Sequence, residues 1–522
     1  MTYTGVERCF LVVCLLLGLC AMCAPTARSE CPLYPLPTSR FGVDLNPFLG
    51  RITDYDVGAL HIGWYSDWST SLEPLQPGGL EYVQLIWVDQ GHWKISEDPD
   101  QLAALRVRVD ANPGTVWMIG NEPECPNLPG GGRSTPEQYA AVYHELYEYI
   151  KLRDPSAQVA IGGVVLPTPL RLKWLDRVLD YYKTTYGEAM PVDVWTIHLL
   201  ILPEMSRRCP PQVCGDSLWG AGIPVGLDEP YGLLYNVVDT WDITIFRGLV
   251  RDFRVWMNAR GERNKPLWIT EYGVLLSESY GATAARVNAF MTASFDFMLN
   301  TRDANLGHPA DSNLLVQRWA WNSLNDNPSS FNGGLFDYRD KTFPGTTTAF
   351  GQSFMAYTSS LLSGSACITG TVHLDGRPAI PHASHVTTAT LTLFRVDCPQ
   401  TQPDVRSVVT DDSGVFNLCD VPPGTYDIVV KTYNTLANRT NGVVLAAGST
   451  RVDLGELRCG DANNDNRVTV LDFSLLATTF GSAGGSSNYD DRPDFDGNGS
   501  VNLSDFWLLA THFGDLGAPQ GR

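Results

Sequence analysis

The chain has 522 residues, too many for one ordinary domain of roughly 150, although an α/β barrel takes about 250 by itself. Hydrophobic residues make up 44 %, which excludes wholesale disorder and leaves apolar mass for several cores. A formal net charge of -20 argues against nucleic acid or anionic membrane as a partner and suits a neutral ligand.

The first thirty residues read as an export signal. Arg8 precedes an apolar run from Phe10 to Leu19, and small residues follow from Ala21 to Ala27. That run is too short to span a bilayer, and no later segment is apolar for long enough, so no transmembrane segment is expected. Residues around Cys20 and Cys23 match a lipid-anchoring signal poorly, which favours a secreted, extracellular chain over a lipid-anchored one. Four of the twelve cysteines fall in this stretch. The others are Cys31, Cys125, Cys209, Cys214, Cys367, Cys398, Cys419 and Cys459, an even set compatible with disulfides. Cys209 and Cys214 can close a small loop. Cys367 and Cys459 bracket a segment holding Cys398 and Cys419, and the spacing leaves the pairing open. None has Cys-x-x-Cys spacing, which argues against zinc.

From about 40 to 362, short apolar runs alternate with amphipathic stretches. The expected strands are Phe41–Asn46, Ala59–Tyr65, Tyr82–Val88, Val116–Gly120, Gln158–Val165, Val192–His198, Leu267–Thr270 and Val316–Trp321. Several are almost continuously hydrophobic, as strands buried on both faces must be. The clearest helix is Thr135–Arg153, with Thr135 as N-cap, Pro136 at its first position, and Tyr139, Val142, Tyr143, Leu146, Tyr149 and Ile150 at helical spacing. Leu170–Tyr186 and Val238–Arg260 follow the same pattern. Eight strand–helix repeats imply a (β/α)8 TIM barrel over 31–362.

Two of these strands end in acid. The fourth runs into Gly-Asn-Glu-Pro-Glu, placing Asn121 and Glu122 at its carboxyl end, and the seventh runs into Ile-Thr-Glu-Tyr-Gly, placing Glu271 and Tyr272 there. In such barrels that face carries the active site. Two carboxyls flanking one spot are the apparatus for cleaving a glycosidic bond. His198 ends the sixth strand and Trp321 the eighth; each is also compatible with plain core. Trp64, Trp68, Trp87 and Tyr272 lie near strand ends as core or rim, with Tyr272 also a candidate substrate contact.

Asn-Glu at the end of strand four with Glu at the end of strand seven resembles clan A of the retaining glycoside hydrolases, across the whole barrel. The resemblance implies that Glu122 is acid/base, Glu271 nucleophile and Asn121 a partner of the sugar 2-hydroxyl. It further implies His198 beside the nucleophile and Trp321 as a sugar platform. Glu124 would have a supporting role. The arginine common at the end of strand two is replaced by His-Ile-Gly-Trp-Tyr-Ser.

After Leu362 the helical period disappears. Ile368–Leu374, Thr388–Val396, Val415–Leu418, Tyr426–Thr432 and Thr450–Leu454 alternate in and out between Gly and Pro-Gly turns, giving a small β-sandwich over 366–458. Its Asp-Ser-Gly-Val-Phe and Val-Pro-Pro-Gly-Thr-Tyr-Asp-Ile segments resemble the carboxypeptidase regulatory-like module, expected here as a spacer.

The last sixty residues repeat. GDANNDNRVTVLDFSLLATTFG lines up with FDGNGSVNLSDFWLLATHFG. In the second copy Asp494, Asp496, Asn498, Ser500 and Asp505 place oxygen donors around a Gly turn, the spacing that wraps a chain around Ca2+. In the first, Asp461, Asn463, Asp465, the Arg467 carbonyl and Asp472 do the same, with Asn466 in the Gly position. Two loop–helix copies with Asp at position 12 resemble a type I dockerin over 459–516. That implies two calcium sites, a cohesin domain on a scaffold or surface protein as partner, and membership of a cellulosome-like assembly. Val470-Leu471 and Leu503-Ser504 stand where the family has small hydroxyl residues. The combined expectation is a secreted retaining hydrolase of a β-linked polysaccharide needing no catalytic cofactor, with a catalytically inactive glycan-binding or surface interaction protein as the alternative.

Overall fold

The computed structural model describes residues 33–521 apart from 35, 96–99, 127–130, 216–218, 329–330, 363 and 400–402. The expected export signal lies outside the described residues.

The N-terminal part is mixed α/β. Its strands are β1 (Phe41–Asp44), β2 (Trp64–Ser66), β3 (Glu81–Tyr82), β4 (Gln84–Asp89), β5 (His92–Lys94), β6 (Val116–Ile119), β7 (Gln158–Ile161), β8 (Trp195–Leu199), β9 (Leu267–Tyr272) and β10 (Arg318–Trp321). The helices are α1 (Gln101–Ala111), α2 (Pro136–Arg153), α3 (Pro169–Tyr186), a single turn α4 (Pro211–Cys214), α5 (Ile243–Ala259), α6 (Ala284–Asn300) and α7 (Ala349–Leu361). One sheet runs β3-β2-β1-β10-β9-β8 and another β5-β4-β6-β7. All pairings are parallel except the β4–β5 hairpin. The two sheets meet twice. Only Val83 separates β3 from β4, and parallel bridges Ala160–Val194 and Val164–Ile197 link the β7 and β8 segments.

Strand alternation sends side chains to two different cores. Trp64, Leu85, Val116, Met118, Ala160, Trp268 and Ala320 meet in one cluster. Their neighbours Ile86, Trp117, Ile119, Val159, Ile161, Ile269 and Trp319 face the helices in another. Helix starts obey their sequence signals: Thr135 caps α2 with Gln138 completing a reciprocal capping box, and Thr168 caps α3 before Pro169.

Three expectations are corrected. The segments after β1 and β2 form only short 3-10 turns (Ile52–Asp54, Gly58–Leu60, Pro77–Gly79), because Pro47, Gly50, Pro74 and Pro77 punctuate them. The expected strand at Ala59–Tyr65 therefore begins only at Trp64. The run Val238–Arg260 breaks into a 3-10 turn and α5, because Asp242 caps a new start.

Next come β11 (Ala366–Leu374), β12 (Thr388–Arg395), β13 (Asp404–Val409), β14 (Val415–Val421), β15 (Gly424–Thr432), β16 (Asn438–Leu445) and β17 (Gly448–Leu457). Sheets β14-β11-β17 and β13-β12-β15-β16 share one core, including Ile368, Val372, Leu391, Leu393, Ile428, Val430 and Leu454. Disulfides join Cys209 to Cys214 and Cys367 to Cys419, whereas Cys459 is a free, buried cysteine.

The C-terminal repeat folds as two loops with α8 (Val470–Thr479) and α9 (Leu503–Thr511) around Val468, Leu476, Phe495, Val501 and Leu509. Leu436, from the β15–β16 turn, completes that core. The middle region is thus packed into its successor.

Candidate functional site

The turn after β6 is built around Glu122. Its backbone is left-handed at φ 42, a conformation costing a non-glycine residue of order 1–3 kcal/mol. Three backbone hydrogen bonds hold it: Glu122 N–H donates to Gly163 O (3.1 Å), and Glu122 O accepts from Cys125 (3.0 Å) and Gly132 (2.9 Å). The strain aims the carboxyl at His198, whose Nδ1 lies 3.0 Å from Glu122 Oε1.

Glu271 comes from β9, where a register irregularity sets it opposite His198 of β8. His198 Nδ1 is 3.7 Å from Glu271 Oε2. Trp68 Nε1–H donates to Glu271 Oε2 (3.3 Å) and the Asn322 amide to Oε1 (2.9 Å). Donor atoms of Glu122, His198 and Glu271 all lie within 4.8 Å of one another. A divalent cation accepts such spacing, but the two N–H donors already on Glu271 suit a carboxylate working without one. His198 was expected against Glu271; it is closer to Glu122. It fits because Gly163 leaves room: a Cβ there would lie 2.6 Å from the imidazole.

Electrostatics separate this pair from ordinary carboxylates. Burial, reinforced by the charge of Glu124, pushes Glu122 up to about 8 against the opposing pull of Arg171. Burial pushes Glu271 up to about 7, with His198 pulling down and Glu122 pushing up. Burial lowers His198, favouring neutral imidazole. Asp44, ending β1, is buried close enough for Glu271 and Asp326 to add to the burial that raises it well above the carboxylate range. One member of the acid pair can therefore hold a proton near neutrality while the other is ionised.

Glu124 is structural. Arg171 Nε donates to Glu124 Oε1 (2.7 Å), its Nη1 donates to Glu204, and its Nη2 donates to Ala221 O (3.2 Å). All three charged side chains are fully buried. Replacing Arg171 with Met leaves two buried carboxylates uncompensated and is expected to cost about 3–5 kcal/mol, read as a lowered Tm. An unchanged Tm would mean the carboxylates are held without it.

Two expected substrate contacts pack within the apolar core. Tyr272 and Trp321 are fully buried. Tyr272 packs on Phe246 of α5 and Phe290 of α6, and accepts a hydrogen bond from Ser294. The Trp321 indole stacks edge-on to Tyr272 and donates to Gly333 O. Adjacent strand residues point to opposite faces, so with Glu271 turned inward Tyr272 must face the helices. By the same parity Asn322, not Trp321, reaches Glu271. Asn121 is buried next to Glu122. Sequence reading missed Asn322, Asp44 and Gly163, and treated Trp68 as core or rim. Trp87 Nε1–H donates to the Trp68 carbonyl and opens a groove of about 600 Å³ that also involves Trp93, His92, Asp89 and Gln138.

In the C-terminal loops the expected ligands take equivalent places. Asp461 accepts from the backbone of Asp465 (2.9 Å) and Asn466 (2.8 Å), as Asp494 does from Asn498 (3.1 Å) and Gly499 (2.8 Å). Asp472 accepts from Asn463 and Thr469, as Asp505 does from Phe495 and Asn502. Asn466 adopts φ 68 and Gly499 φ 83, so asparagine serves in the glycine position. Carboxylates of Asp494, Asp496 and Asp505 gather within 4.8 Å, an all-oxygen donor set that fits a hard cation. In the first loop, Lys431 of β15 places Nζ 2.5 Å from Asp461.

Residues 459–513 match the family model of the dockerin type I domain. No curated protein matches the chain. Among solved structures, it is similar to a GH128 (subgroup II) endo-β-1,3-glucanase from Sorangium cellulosum, at 15 % identity over 61 % of this chain and 98 % of that one, TM-score 0.38. An endo-β-1,4-mannanase from Thermotoga petrophila gives 10 %, 80 %, 99 % and 0.34. A type II cohesin–X–dockerin complex from Acetivibrio cellulolyticus gives 23 %, 29 %, 97 % and 0.24. Among the described residues no helix is long and apolar enough to cross a membrane.

Proposed function

We propose that this chain is an exported, retaining glycoside hydrolase of clan A that cleaves a β-linked polysaccharide and is tethered through its dockerin to a cohesin. The observation that carries the chemistry is the buried Glu122–Glu271 pair, within 4.8 Å atom to atom and bridged by His198. Retention needs carboxyls about 5–5.5 Å apart, whereas inversion leaves room for a water at about 6.5–9.5 Å. Glu122 protonates the glycosidic oxygen as the Glu271 carboxylate attacks the anomeric carbon, releasing the leaving sugar as an alcohol. Glu122, now ionised, takes a proton from water, and that water displaces Glu271 from the anomeric carbon. Trp68 and Asn322 hold the Glu271 oxygens in place. The barrel reading over 31–362 draws support from the links between the two parallel sheets and from the inner cluster to which β2, β4, β6, β7, β9 and β10 contribute.

The reading continues with a carboxypeptidase regulatory-like β-sandwich over 366–458 and a dockerin whose two loops each hold Ca2+. The exposed Val470, Leu471 and Leu503 offer an apolar surface for a cohesin. Reducing-sugar release across xylan, mannan, β-glucans and galactans tests the enzyme. Activity lost in Glu271→Ala supports it, and no release from any glycan leaves a binding protein. Calcium has its own test. Ligand at about a thousand times its dissociation constant stabilises by about 4 kcal/mol, so chelation is expected to lower the melting transition of 459–513, and Asp505→Ala to lower it with calcium present. Identical transitions with and without chelator would remove calcium from the proposal.

A further inference from the structure

Between the middle region and the dockerin, three side chains of different chemistry converge from distant parts of the chain. Asp375 follows β11, Cys459 follows β17, and His512 ends α9. His512 Nε2 lies 2.6 Å from Asp375 Oδ2, and Cys459 Sγ lies 3.5 Å from the same oxygen. All three donor atoms fall within 4.8 Å of one another. Cys459 is buried, while His512 and Asp375 keep 14 % and 24 % of their side chains exposed, so water can reach one side.

We propose that Asp375, Cys459 and His512 form a transition-metal site, suited to zinc(II), that ties the middle region to the dockerin. Sulfur, imidazole nitrogen and carboxylate oxygen together suit zinc; calcium takes oxygen alone. A tetrahedral zinc ion spaces such donors by about 3.5 Å, so the His512–Asp375 contact opens by under about 1 Å on loading. The surroundings resemble those of a ligating histidine. His512 Nδ1 is 3.2 Å from Asp515 Oδ2, and Asp515 is held by Arg458 at 2.7 Å. A carboxylate on the far nitrogen fixes the ring and directs Nε2 to the metal. Asp375 is anchored by its backbone N–H to Leu457 O (3.1 Å), and Thr435 bridges to Cys459. On binding, the thiol proton leaves to buffer, an S–metal bond forms, and water takes the fourth position. The same residues without metal would be an ion-paired histidine between two aspartates, and the two arrangements differ in a measurable way.

The test uses reduced, calcium-saturated full-length protein titrated with cobalt(II) as a spectroscopic stand-in for zinc. The expected result is a thiolate-to-cobalt charge-transfer band that saturates at one equivalent and disappears when zinc(II) is added. Cys459→Ser abolishes the band, and Asp515→Asn weakens binding by about 10–100-fold. Melting of each variant in calcium without cobalt establishes that it is folded; His512→Ala, at a helix end, provides a second variant. No thiolate band in the wild-type protein overturns the site, as does cobalt affinity unchanged in both Cys459→Ser and His512→Ala.

Discussion

On the proposed retaining mechanism, replacing Glu271 with Gln is expected to lower kcat on the preferred polysaccharide by about 10^4-fold or more, because the group proposed to form the covalent intermediate is gone. Replacing Glu122 with Ala is expected to act differently. Loss of a general acid costs about 10²–10⁴-fold when the leaving sugar needs a proton, and far less for an activated aryl glycoside whose leaving group departs as an anion. Comparing both variants on both substrates therefore separates the roles. Equal losses on both substrates for Glu122→Ala would remove its assignment as acid, and a Glu271→Gln enzyme within tenfold of wild type would remove the nucleophile. The geometry explains why the losses should be large: both carboxyls are buried and fixed by named donors, so water cannot readily replace either.

Activity and stability are expected to respond to pH in opposite senses on the acid limb of the activity profile and to fall together on its alkaline limb. Glu271 must be ionised to attack and Glu122 protonated to donate. With the pair raised to about 7 and about 8, kcat/KM should rise through the first value and fall through the second, as a narrow bell belonging to the pair. Both carboxyls sit above their ordinary value of 4.5, so the folded protein holds protons the unfolded chain has released. Their contribution to stability is complete below about pH 4.5 and is lost as pH rises through about 7 and 8. A shift of the size seen at Glu122, at about 1.4 kcal/mol per unit, is worth a few kcal/mol at most. Glu122→Gln, which cannot ionise, should gain stability relative to wild type as pH rises from about 4.5 to 8. Parallel Tm profiles for the two proteins would show that burial of Glu122 carries no such cost.

Legibility varied with the range of the signal. The placing of Asn121, Glu122 and Glu271 at strand ends could be read because each closes an apolar run short enough to be a buried strand, and the end of such a strand is a defined place. The two C-terminal loops could be read for a similar reason: their oxygen donors lie within a dozen residues, and Asn466 behaves as its tolerance of left-handed backbone requires. The faces taken by Trp321 and Tyr272 were not legible, because run boundaries do not reveal which face a residue takes. A register irregularity between β8 and β9 and another between β9 and β10 set that parity, and no local pattern encodes them. β13, β16 and the β5 hairpin strand escaped notice because they are short or exposed on one side, with weak alternation.

By itself the amino-acid sequence determined whatever depends on neighbours along the chain: strand and helix periods, capped starts, the two acid-terminated strands and the repeated oxygen-rich loops. Only the tertiary structure decided which distant groups face one another. Asn322 and Trp68 on Glu271, Arg171 between Glu124 and Glu204, and Cys459 beside Asp375 and His512 are separated by tens to hundreds of residues. The reason is physical: a side chain's charge state and partners follow from burial and a few ångströms of distance, and those are set by how strands register and modules pack.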